Sequence, residues 1–405
     1  MHFFPHFHLH LNSIALFGIT LLLGLIGGEI AGRTRFLPRI LGYIAIGFLA
    51  GPGGFNFVDQ SVLTNARIFV DISLSLILFD LGRHLDFVWL RHDRGLLPMA
   101  LTESLLTLLC TFVVLHFLIA LPKMLSLLAG VIAMTTSPAV VMMVAHDLSS
   151  EGPVTRRTLI LTSLNNLFGL LLFTLLLPLT QTVNFPGFIL FIPAVYRLCG
   201  SLILGLSIFV LLKLIAHFIG KQKDNQFILF VGAVTLTLGL ARVLDLSSML
   251  TLFILGVAAR NFDSNHALME VDFGWLARLF FILLFVVTGV QLQLQGLRYA
   301  PLAVILFILA RLFSKTSGVL LFAKASRLTR QQAYALSLTL CPMAGVAMGM
   351  SYLVVDFNSD FGQQILHIMT GAIALLTLIG PILTQFAFVK TGEALAIDGD
   401  EGALR

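Results

Sequence analysis

Apolar runs of about 20 residues recur along the whole length of this 405-residue chain, and that repetition constrains the fold more than any other feature. Each run is long enough to cross a bilayer as a helix. Barrel strands would alternate polar and apolar positions over about ten residues, and these runs do not. Hydrophobic residues make up 58% of the chain and charged residues 11%, a balance foreign to water-soluble domains. The reading is an all-α polytopic membrane protein. Thirteen spans are expected near 12–32, 36–51, 66–85, 97–121, 124–145, 157–181, 192–215, 226–243, 247–261, 274–293, 300–323, 332–355 and 362–389.

The basic residues give an independent check. With the N-terminus outside, the inner side holds Arg33, Arg35, Arg39, Arg83, Arg91, Arg94, Arg156, Arg157, Lys213, Lys221, Lys223, Arg260, Lys324, Arg327, Arg330, Lys390 and Arg405. The outer side holds only Arg67, Lys123, Arg197, Arg242 and Arg298. That asymmetry is the positive-inside pattern and predicts an odd number of spans, N-terminus out and C-terminus cytoplasmic. The net charge of +5 thus reflects topology and carries no nucleic-acid inference. Cys110, Cys199 and Cys341 all fall in apolar spans, without metal-ligand spacing. His2, His6, His8 and His10 could bind a metal or simply form a wet terminal tail. The first span lacks a basic n-region and cleavage site and reads as retained. The final 15 residues, 391–405, read as a short polar tail. Nothing in the sequence points to a cofactor or to enzymatic chemistry.

Ionisable groups at bilayer depth are costly and usually face the bundle interior. Here they are Asp71, Asp80, Glu103, Arg278, Arg311 and Lys315, with Glu29 near a span end. Beside them stand two adjacent amides, Asn165 and Asn166, in mid-span. Two stretches read as interrupted helices: residues 130–147 around Thr136, Ser137 and Pro138, and residues 336–353 around Pro342. Proline removes a backbone donor and frees a carbonyl one turn back. In lipid such a break is tolerated only where protein or a cavity surrounds it. Either break alone could be an ordinary kink. Occurring at corresponding places in the two halves, they predict a transporter of inverted repeats with its site at the midplane.

Several ordered stretches carry a resemblance. "LPRILGYIAIGFLAGPGG", "DISLSLILFDLGRHLD", "AMTTSPAVV", "LFFILLFVVTGVQLQL", "ARLFSKTSGVLL" and "PMAGVAMGM" resemble spans 2, 3, 5, 10, 11 and 12 of the monovalent cation:proton antiporter superfamily, in its second branch. The resemblance implies thirteen helices in two inverted repeats with crossed broken helices. It implies a core from spans near 97–181 and 300–389, a scaffold and dimerisation unit near 12–85 and 226–293, and a linker span near 192–215. It also implies a homodimer in a bacterial inner membrane, an elevator-like motion, and Na+ or K+ exchanged for protons.

The family carries Asp-Asp or Asn-Asp where this chain has Asn165-Asn166. An amide offers a carbonyl oxygen but does not titrate. Three readings follow. In the first, Asn165, Asn166, Thr136 and Ser137 hold a cation while a displaced carboxylate, Glu103 or Asp80, carries the proton. Asp80 could instead pair with Arg83, and Glu103 could be buried and neutral. In the second, Arg311 and Lys315, four apart on one helix face, lack their usual partners and draw in an anion with a proton. Arg311 could equally pair with Asp71, Asp80 or Glu103. In the third, the protein is a channel-like or non-transporting relative.

Overall fold

The computed structural model describes residues 13–34, 37–55, 57–58, 60–180, 192–220, 222–263, 268, 274–292, 299–357 and 359–394. The His2–His10 cluster and the end of the tail lie outside them, as does the side chain of Arg278. The described residues form helices and connecting turns. In chain order the α-helices are α1 (Ser13–Gly32), α2 (Arg39–Ala50), α3 (Gln60–Arg83), a short α4 (Phe87–His92), α5 (Leu96–Val113), α6 (Lys123–Met134), α7 (Pro138–Asp147) and α8 (Pro153–Leu176). They continue with α9 (Ile192–Ile219), α10 (Lys223–Val243), α11 (Ser248–Asn261), α12 (Gly274–Val290), α13 (Pro301–Phe322), α14 (Arg330–Thr339), α15 (Gly345–Phe357) and α16 (Ser359–Lys390).

Among the described residues, seven segments are long and apolar enough to cross a membrane by length and composition, and five shorter apolar helices accompany them. The two sequence breaks are where the chain unwinds. Residues 135–137 separate α6 from α7, and residues 340–344 separate α14 from α15. Pro138 therefore starts a helix rather than kinking one: it is the first residue of α7, behind the Ser137 N-cap, whose Oγ accepts from Val140 N–H. Pro342 lies inside the second unwound segment. In the α6–α7 segment 94% of the apolar window is buried inside the protein, against 28% for the unbroken segment Leu96–Leu118. Protein surrounds the irregular backbone, as exposed peptide groups in lipid require.

Glycines set the close helix crossings. A Cβ on Gly82 of α3 would strike the Phe253 carbonyl and Gly256 of α11, and one on Gly256 would strike the Phe79 carbonyl and Gly82. Gly47 of α2 and Gly289 of α12 meet in the same reciprocal way. Small residues let two backbones approach where lipid offers no hydrophobic drive. Asp93–Arg157 and Asp86–Arg260 pair at one end of the bundle, at 2.8 and 2.9 Å, while Arg197–Asp245 pairs at the other at 2.7 Å.

Candidate functional site

The two breaks cross in direct contact. Ser137 N–H donates to the Pro342 carbonyl at 2.9 Å, and Thr136 Oγ1 donates to the Leu340 carbonyl at 3.3 Å. Each unwound segment leaves carbonyls at a helix C-terminus without intrahelical partners and with partial negative charge. Arg311 of α13 answers both ends at once. Its guanidinium donates to Ala133 (3.0 Å) and Thr135 (2.8 Å) on one side, and to Leu340, Cys341 and Pro342 on the other. A planar fork with five donors suits this task as an ammonium does not. Arg311 is completely buried and pairs with none of Asp71, Asp80 or Glu103.

Lys315, one turn further along α13, donates to Glu103 Oε1 of α5 at 2.7 Å and to the Met134 carbonyl at 3.1 Å. Both members of this ion pair are 0% exposed. Gly318 makes the approach possible, because a Cβ there would collide with the backbone and Cβ of Glu103. The expectation that Arg311 and Lys315 stand uncompensated is therefore not met: carbonyls take up one and a carboxylate the other.

The two asparagines of α8 play different parts. Asn165 Nδ2 donates to Glu103 Oε1 at 2.6 Å, and its Oδ1 accepts from Ser104 Oγ at 3.1 Å. It belongs to the Glu103–Lys315 cluster. Asn166 Nδ2 donates to the carbonyls of Thr136 (2.7 Å) and Thr162 (2.8 Å). Two acceptors on the nitrogen side fix the amide's orientation and leave Oδ1 aimed elsewhere. That Oδ1 is buried and has no hydrogen-bond partner among the described residues, and the same holds for Thr162 Oγ1. The two lie one turn apart on one face of α8. Buried unpartnered oxygens are uncommon and call for an explanation. Thr162 carries no marking in the sequence beyond its place four residues ahead of Asn166.

A cavity of about 830 Å³ opens between α3, α11 and α12 on one side and α7 and α8 on the other, at the end carrying Arg83, Arg156 and Arg260. Thr155 and Leu159 line it. Residues 155, 159, 162 and 166 follow helical spacing, so the unpartnered oxygens continue that stripe inward, Asn166 about 10 Å beyond Leu159. Asp80 also lines the cavity, but its nearest cation is Arg83 at 3.6 Å, and it lies outside the Glu103 cluster. Asp71 pairs with Arg242 at 2.6 Å. The structure thus brings together Glu103, Asn165, Asn166, Thr136, Ser137, Arg311, Lys315, Pro138 and Pro342 around one crossing, and leaves Asp80 apart.

Comparisons with known proteins agree with this architecture. Two structures of the sodium proton antiporter MjNhaP1 from Methanocaldococcus jannaschii share the fold. The one at pH 8 gives a TM-score of 0.71 at 19% identity, covering 95% of this chain and 99% of that one. The other gives 0.72 at 18% identity, covering 96% and 98%. No curated protein matches. The transmembrane sodium/hydrogen exchanger family matches residues 18–390. Matching nearly the full length, the chain belongs to the sodium/hydrogen exchanger family.

Proposed function

We propose that this protein exchanges a monovalent cation, Na+ or K+, for a proton by alternating access. One observation carries the reading: two buried, unpartnered oxygens, Asn166 Oδ1 and Thr162 Oγ1, sit on the same helix as Asn165, which hydrogen-bonds Glu103 of the buried Glu103–Lys315 pair. Neutral oxygens without donors are what a desolvated monovalent cation needs as ligands. They supply no charge to balance it. The Glu103–Lys315 pair does: when Lys315 releases its proton, Glu103 is left with one uncompensated negative charge, which offsets the arriving cation. When the cation leaves, the proton returns to Lys315. One cation then moves against one proton with no net charge, and the carboxylate missing from residue 166 is supplied from α5.

The basic cavity mouth is read as cytoplasmic by the positive-inside rule, with thirteen crossings, the N-terminus outside and the C-terminus inside a bacterial inner membrane. The core containing α5–α8 and α13–α16 would slide against the scaffold in a homodimer. Anion transport finds no support, because Arg311 and Lys315 are already engaged. A non-transporting role leaves the retained cluster without a task.

The test is flux in proteoliposomes holding the purified protein and a pH-sensitive dye. Under an imposed proton gradient, Na+, K+ and Li+ salts are added in turn, with the anion varied separately. Proton movement should follow the cation, ignore the anion and vanish in Glu103→Gln. Proton movement that tracks the anion, or that survives in Glu103→Gln, overturns the reading.

A further inference from the structure

Helix α8, which carries Thr162, Asn165 and Asn166, begins without a cap of its own. Its N-cap residue is Gly152, which has no side chain to offer. The cap arrives from the far end of the chain. Glu393, three residues past α16, accepts from Val154 N–H at 2.8 Å through Oε1, and from Thr155 N–H and Thr155 Oγ1, each at 2.7 Å, through Oε2. Its backbone carbonyl accepts from Glu151 N–H at 3.0 Å. The side chain is almost fully buried. Gly152 is needed for the fit, because a Cβ there would collide with the Glu393 carboxylate. Thr155 Oγ1 also bonds Ser150 Oγ at 2.7 Å. Ser150, Glu151 and Thr155 line the cavity rim. The end of α16, the rim and the start of the site helix are therefore one hydrogen-bonded unit.

We infer that Glu393 is a positioning residue for transport: a cap supplied from the far end of the same chain that fixes the start of α8 and through it the rim of the cavity. A carboxylate at a helix N-terminus satisfies orphan donors and opposes the macrodipole. Its loss frees the first turn of the helix whose third and fourth turns carry Thr162, Asn165 and Asn166. The first three residues of the polar tail thereby become part of the transport unit. The inference goes beyond the exchange reading and rests on it only for the flux measurement.

The test compares the full-length wild type, Glu393→Ala and the double variant Gly152→Ser/Glu393→Ala by backbone amide exchange and by proteoliposome flux. The double variant puts a local Ser cap into the space that Glu393 vacates. Glu393→Ala is expected to speed exchange at residues 151–155 about fivefold, the factor of one lost cap, and to lower cation-driven proton flux by a similar factor. The local cap should restore both. Unchanged exchange in Glu393→Ala overturns the inference, as does accelerated exchange with undiminished flux, or restored exchange without restored flux. Should Glu393→Ala fail to fold, the double variant alone decides: it must fold and transport. If the wild type moves no protons with any cation, the exchange reading itself has failed, and the amide data still decide whether Glu393 caps α8.

Discussion

Glu103 and Lys315 meet at 2.7 Å with neither side chain exposed, from positions 212 residues apart in the chain. A pair so buried is poorly worth its desolvation as a stabilising contact alone. Breaking it by one substitution leaves a lone buried charge.

Glu103→Gln and Lys315→Met are each expected to destabilise the protein by about 3–5 kcal/mol. The double variant Glu103→Leu/Lys315→Met should recover most of that loss in thermal unfolding while remaining inactive. Recovery of stability without recovery of flux would separate the pair's role in transport from its role in folding.

At residue 166 the expected response is to cation. In Asn166→Asp an oxygen replaces the nitrogen that now donates to Thr136 and Thr162 carbonyls at 2.7 and 2.8 Å. Three oxygens then crowd together unless a cation sits among them. The melting temperature should fall in cation-free buffer and climb as Na+ or K+ is added, by about 2.7 kcal/mol of stabilisation at 100 times the dissociation constant. A melting curve indifferent to salt would remove this position from the ion path.

Thr162→Val deletes an oxygen that has no partner among the described residues. Removing an unsatisfied buried hydroxyl at similar shape is expected to leave stability within about 1 kcal/mol of wild type. Half-saturation for the cation should rise roughly tenfold, the effect of about 1.4 kcal/mol of lost coordination, with less change in maximal flux. The cation titration of initial rates checks this.

Arg311→Lys keeps the charge and loses the fork. A single ammonium does not span the Ala133 and Thr135 carbonyls on one side and the Leu340–Pro342 carbonyls on the other. Stranded acceptors at both breaks should lower stability by about 3 kcal/mol or more, read as a lower melting temperature of the purified protein.

Much of this fold is legible in one sequence, because bilayer thickness sets span length and the basic residues mark the ends. The breaks were legible for a related reason: Pro138 and Pro342 stand among small residues where lipid punishes any lapse in helix. Partnership was not legible. Lys315 could be placed on the same helix face as Arg311, but no periodicity tells which of several buried acids lies opposite. Gly318 is what lets Glu103 be that acid. Asp80 drew attention as a proton carrier because it sits in an apolar run, whereas its neighbour Arg83 and the cavity rim hold it at the helix end. Thr162 looked like any helical threonine, and Glu393 looked like tail because hydrogen bonds across 238 or 239 residues leave no local trace.

The staple by Arg311 also dictates an order of assembly. The carbonyls of Ala133 and Thr135 wait for a side chain made 176 to 178 residues later, and the α14 end follows Arg311 by another 29 to 31. During synthesis the first half enters the bilayer with its break unsealed. It must hold that unwound stretch in water, in the insertion machinery or against a neighbour until the second half arrives. A ribosome stalled before residue 311 therefore leaves a membrane-embedded chain with open polar backbone, a form that quality-control proteases can recognise without ever reading its transport activity.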